Sequence, residues 1–99
     1  MISGYLKIRA AGARLAGWSG DRETLAEAAE HLWSAGYHAD SWPVYVKARY
    51  DRIRYRLFNG GTVRLTLAGL PDAEAADLAE ELRRFSEAAL SFRSSWTDL

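Results

Sequence analysis

Apolar and polar residues alternate along two stretches of this chain. Over residues 5–10, Leu6, Ile8 and Ala10 alternate with Tyr5, Lys7 and Arg9, and residues 13–18 alternate again. A period of two marks a half-buried strand. Ala11 and Gly12 can turn between the two runs. Arg9 then faces Arg14, Ile8 faces Leu15 and Tyr5 faces Trp18, with the apolar residues sharing one side of a hairpin. Residues 44–58 form the second extended stretch. Unbroken, it would span about 50 Å, too long for a domain of this size. Its parity also changes midway: Val44, Val46, Ala48 and Tyr50 are even-numbered, and Ile53, Tyr55 and Leu57 are odd-numbered. A two-residue turn at Asp51 and Arg52 resolves both points, with a bulge there as the competing reading. Asn59, Gly60 and Gly61 then supply a turn signal that sets Leu57 opposite Val63 and Tyr55 opposite Leu65. The last strand ends near Ala68.

Elsewhere the spacing is helical. Asp21 suits the N-cap of a helix running to about Ala35, with Leu25, Ala28, Ala29, Leu32 and Trp33 on its apolar side and Gly36 at its C-terminal end. Pro71 and Asp72 open a longer helix whose stripe is Leu78, Leu82, Phe85, Ala89, Phe92 and Trp96. Phe92 and Trp96 extend the stripe beyond the first helix's reach. They either fold over the end of the core or contact a second copy in a homodimer. A shift of fifty residues pairs Tyr5, Arg14, Leu15, Ala26, Ala29, Glu30 and Leu32 with identical residues at Tyr55, Arg64, Leu65, Ala76, Ala79, Glu80 and Leu82. This suggests an internal duplication. The expected fold is α+β: a five-stranded antiparallel sheet in the order β-β-α-β-β-β-α, with two helices on one face.

Composition narrows the class. Ninety-nine residues, 48% of them hydrophobic, suit one domain with a modest core. There is no cysteine, so disulfide scaffolding and thiolate chemistry are excluded. The first ten residues lack the apolar run of a signal peptide and no stretch is long enough to span a membrane, so a cytoplasmic location is expected.

Charge sharpens the picture. The chain is formally neutral, yet five of the ten residues from Lys47 to Arg56 are Lys or Arg. In the hairpin register, Lys47 faces Arg56, Arg49 faces Arg54, and Arg56 also faces Arg64. Such pairs destabilise a sheet unless something relieves them. Lys7, Arg9, Arg14, Lys47, Arg49, Arg54, Arg56 and Arg64 would collect on the open face, joined by Tyr5, Trp18 and Tyr45. The acids fall mainly on the helices. An anionic partner would relieve the repulsion; solvated Arg stems over an exposed sheet are the plainer explanation.

Little points to catalysis. The glycines of residues 58–63 lack phosphate-loop spacing. His31 lies four residues after Glu27 on a helix, as an exposed pair would. His38 and Asp40 fall in a loop, where a metal site with His31 is a minor reading. No nucleophile is arranged, no cofactor is implied, and an enzyme is not expected. The stretches "ARLAGWSGDRETLAEAAEHL" and "VRLTLAGLPDAEAADLAEEL" resemble the strand, corner and Leu/Ala-helix pattern of small bacterial immunity proteins of polymorphic toxin systems. The resemblance covers about two-fifths of the chain and implies a cytosolic, non-catalytic protein that binds one toxin; phage anti-defence proteins share that physical brief. The expected partner is therefore an acidic protein target. A nucleic-acid-binding sheet and a structural dimerisation domain are the alternatives, although a pI near 6.7 is low for a nucleic-acid binder.

Overall fold

A computed structural model describes residues 4–57 and 62–91, and among these every regular element is helical. The order is α1 (Tyr5–Ala16), α2 (Arg22–Ala35), a 3-10 turn (Gly36–Ser41), α3 (Val44–Leu57), α4 (Val63–Ala68) and α5 (Asp72–Ser91). Helix α1 packs on α2 and α5, α2 also holds α4, and α3 lies along α5. The fold is all-α, and the α+β sheet expected from alternation is not there.

The reason is visible in which residues are buried. In α3 they are Val46, Tyr50, Ile53 and Leu57, at spacings of four, three and four. The change from even to odd parity at Asp51 and Arg52 is therefore helical periodicity, not a turn. In α1 the buried set is Ile8, Ala11 and Leu15. Ala11 and Gly12 lie mid-helix, so no hairpin pairs Tyr5 with Trp18. Val63 and Leu67 make the inner side of the short α4. Tyr55 and Leu65, expected to face the core, are instead 76% and 68% exposed. Short apolar runs rich in β-branched and aromatic residues fit either element, and here tertiary packing overrides their strand propensity.

The two helices read from helical spacing stand where expected. Asp21 caps α2: its carboxylate accepts from the Glu23 and Thr24 amides at 3.0 and 3.3 Å, and from the Thr24 hydroxyl. These bonds hold its carboxyl below the usual range. Leu78, Leu82, Phe85 and Ala89 of α5 are buried as the stripe requires. Phe92 and Trp96 lie outside the described residues, as does the turn at Asn59, Gly60 and Gly61. The fifty-residue shift aligns α2 with α5 start for start, but it sets one helix, α1, against parts of α3 and α4, so the units are not equivalent.

Two close contacts order the bundle. Arg22 on α2 donates to the Leu67 and Leu70 carbonyls, both at 2.7 Å, and to Asp72 at 2.9 Å. One guanidinium thus ends α4 and ties it to the start of α5. Where α1 crosses α5, a Cβ added to Gly12 would stand 3.1 Å from the Ser86 Cβ. The Ser86 hydroxyl at this crossing is buried without a hydrogen-bond partner. An unmet buried hydroxyl costs about 1–3 kcal/mol. Ser86→Ala is therefore expected to raise unfolding stability by about 1 kcal/mol in a urea titration; a loss of stability would show that the hydroxyl is partnered.

Candidate functional site

The residues expected to share one basic face are spread over four parts of the bundle. Tyr5, Lys7, Arg9 and Arg14 lie on α1, Trp18 follows it, Arg64 is on α4, and only Tyr45, Lys47, Arg49, Arg54 and Arg56 share α3. There is no sheet to gather them and no wholly acidic helical side opposite. The cations interleave with acids instead. Arg14 meets Glu27 at 3.0 Å, and Arg64 reaches Glu23 and Glu30 at 2.8 and 2.9 Å. Arg56 bridges from α3 to Glu81 and Asp77 on α5. Lys47 and Arg54 share Asp51 at 3.5 and 3.8 Å, one helical turn away on either side. Trp18 is partly buried, its indole N–H donating to the Asp21 carbonyl. Arg14, Arg56 and Arg64 thus tie helices to one another, while Lys47 and Arg54 pair within α3.

Four described cations have no such acid: Lys7 and Arg9 on α1, and Arg49 and Arg52 on α3. The second pair lines an open cleft of about 240 Å³ between α3 and α5, with Ile53, Glu81, Arg84 and Phe85. Arg84 binds Glu80 through Nε at 3.1 Å and is 69% exposed. Glu81, the one acid of this lining, is engaged by Arg56. The cleft thus has a cationic rim and an apolar floor of Ile53 and Phe85, both nearly fully buried. Tyr45, Val44 and Tyr55 stand out from α3 at 70%, 81% and 76% exposure. The helical register places Tyr45, Arg49, Arg52 and Arg56 along one flank of α3.

Phe85 is held from behind by an aromatic cluster. Trp42 meets Tyr50 edge-on, centroids 5.1 Å apart, and Tyr50 lies 5.9 Å from Phe85. The Tyr50 hydroxyl donates to the Trp33 carbonyl at 3.3 Å, and burial pushes its pKa up to about 12. Beside Tyr50 a second, smaller notch of about 140 Å³ is lined by Trp33, Gly36, Tyr37 and Arg54.

Sequence reasoning missed Arg52 and Arg84. The strand reading of residues 44–58 puts Arg52 in a turn, and the helical reading after Pro71 rests on the apolar stripe, of which Arg84 is not a member. The available signal was the i,i+3 spacing of Arg49 and Arg52, legible only once the stretch is read as helix. His31 is half-buried on α2, while His38 and Asp40 are exposed in the 3-10 turn. Among the described residues no three His, Asp or Glu side chains are grouped to hold a metal, and no helix is long and apolar enough to cross a membrane.

On the other side of α5, Glu80 accepts from Arg83 at 2.6 Å and from Arg84. These bonds, Arg83's foremost, hold the Glu80 pKa at about 2 against an ordinary 4.5. A carboxylate with a lowered folded pKa stabilises the fold fully above the unfolded value and loses that contribution as pH falls through the folded value. Glu80→Gln is therefore expected to lower the melting temperature slightly at pH 7, with the difference shrinking as pH falls below about 4.5 towards the folded value of about 2. A shift that stays the same from pH 7 down to about pH 2 would contradict the pairing.

No known protein family, curated protein or solved structure compared with the chain matches it. The functional reading therefore rests on the geometry of the molecule.

Proposed function

We propose that this chain is a small non-enzymatic inhibitor or immunity-type module of the cytoplasm that neutralises one acidic protein target by docking through α3. One observation carries the reading. Arg49 and Arg52 stand without acids in a chain that pairs most of its described cations, and they do so beside the exposed Tyr45 and Tyr55. Arg and Tyr are the residue types enriched where proteins bind one another. Like charges at i,i+3 on a helix repel, and an acidic partner removes that repulsion on docking.

Nucleic acid is the second reading for the same arginines. Against it stand the neutral total charge and the carboxylate of Glu81 in the cleft lining. A polyphosphate backbone crossing the cleft would meet that carboxylate, and the chain has no net positive charge to hold it elsewhere. Affinity capture from native cells, with mass spectrometry for proteins and sequencing for nucleic acids, tests the proposal. One protein with an acidic surface, retained without nucleic acid, is the expected result. Nucleic acid of mixed sequence, released steeply by salt, would contradict it.

A further inference from the structure

Two helices bring three guanidiniums to one opening: Arg49 and Arg52 from α3 and Arg84 from α5. Among the described residues, neither Arg49 nor Arg52 meets an acid. Arg84 gives only its Nε to Glu80, at 3.1 Å, so both Nη groups remain to donate. Glu81 is the one carboxylate of the lining, and Arg56 engages it from outside the cleft. Three positive groups therefore stand against one negative, a surplus of two. Setting aside the pairs that reach out of the cleft, Arg84 with Glu80 and Glu81 with Arg56, leaves the same surplus on Arg49 and Arg52.

We infer that the cleft receives one phosphorylated side chain of the protein target, its phosphoryl group held among Arg49, Arg52 and Arg84. This rests on the protein-binding reading and specifies what that partner presents. A phosphomonoester carries about 1.5 to 2 negative charges at neutral pH and three strong acceptor oxygens. It matches the surplus in charge and offers an oxygen to each guanidinium. A single carboxylate brings one charge and two oxygens, which one arginine fork already satisfies. Several carboxylates could supply the charge only by crowding into the same opening, where they repel one another. The repulsion between Arg49 and Arg52, three residues apart on one helix, is relieved most by the dianion. About 240 Å³ is room for one side-chain head group, not for a folded element. A nucleic-acid backbone runs on past Glu81, whereas a phosphomonoester ends in the cleft.

Three short synthetic peptides in a Gly-Ala background test this, with a phosphoserine, a glutamate or a serine at the centre, alongside inorganic phosphate and a single-stranded oligonucleotide. Binding to the full chain is followed by NMR at the Arg Nε signals. The phosphoserine peptide is expected to bind at least about tenfold more tightly than the glutamate peptide, as one further paired charge supplies. It should shift the Arg49, Arg52 and Arg84 signals. Arg84→Gln should weaken the phosphoserine peptide more than the glutamate peptide, and Lys7→Gln with Arg9→Gln should leave both as they are. Phosphatase treatment of the captured target should weaken its binding at least about tenfold. Equal binding by the glutamate peptide, or a dephosphorylated target held as tightly, would overturn this inference and leave an acidic protein partner standing. Inorganic phosphate bound as tightly as the phosphoserine peptide would overturn the protein source of the group. Preference for the oligonucleotide would overturn both readings.

Discussion

Arg49→Glu combined with Arg52→Glu is expected to weaken target binding at least about a hundredfold while leaving the melting temperature unchanged or slightly raised. Neither side chain makes an ion pair in the folded chain, so no internal contact is lost. Helix α3 carries Lys47, Arg49, Arg52, Arg54 and Arg56 against Asp51 alone. The two reversals remove that surplus, and a glutamate at position 52 precedes Arg56 by one turn in the favourable orientation. At the interface each change replaces an attraction with a repulsion. Truncating one partner of a desolvated charge pair already costs about 2–5 kcal/mol, and a hundredfold needs about 2.7 kcal/mol. Arg56 behaves in the opposite way. It joins α3 to Glu81 and Asp77, so Arg56→Glu should cost about 1 kcal/mol of stability by setting three acids together. Stability and affinity thus separate between residues four apart on one helix. If the double variant unfolds, or binds as the unaltered chain does, the division into structural and docking arginines fails.

Gly36→Ala is expected to cost about 3 kcal/mol or more, the largest stability loss among single methyl additions here. The backbone conformation is not the obstacle, since Gly36 is in the ordinary right-handed region. The obstacle is Tyr50. An added Cβ would overlap the phenol hydroxyl and lie 2.8 Å from the ring Cε2. Tyr50 cannot rotate away cheaply: its hydroxyl holds the Trp33 carbonyl and its ring is wedged against Trp42 and Phe85. Because Phe85 is also the cleft floor, the variant should weaken binding along with folding. Urea denaturation and target titration measure the two. A variant as stable as the unaltered chain would show that α3 approaches the end of α2 less closely than described.

How much of this was legible beforehand depended on the kind of signal. Helices α2 and α5 could be read because each has a start residue and an apolar spacing no strand can share: Asp21 with Leu25, Ala28, Ala29 and Leu32, and Asp72 with Leu78, Leu82 and Phe85. Helices α1 and α3 carry their inner residues at the same spacings, but among Val, Ile and Tyr, where a period of two fits locally as well. Over residues 44–57 only the parity change at Asp51 separates the two readings, and a turn between strands accounts for it as well as a helix does. The location of the charge was legible and its role was not. Lys47, Arg49, Arg54 and Arg56 do share one element, but the pairing of Lys47 and Arg54 to Asp51 shows only once that element is a helix, and the pairing of Arg56 to Asp77 and Glu81 is a property of the tertiary arrangement. Arg84 could join the site only through the packing of α5 against α3.

The central claim is that the arginines of the α3–α5 cleft, and not the other described cations that lack an acid, meet the target. Lys7 and Arg9 on α1 are the internal comparison, since they too lack an acid. The most direct measurement is an NMR footprint of the isotopically labelled chain as the captured target is added. The account predicts that the side-chain signals of Arg49, Arg52 and Arg84 and the amides of Tyr45 and Tyr55 shift, while Lys7 and Arg9 do not. Shifts concentrated on Lys7 and Arg9, with the cleft arginines unmoved, would contradict it.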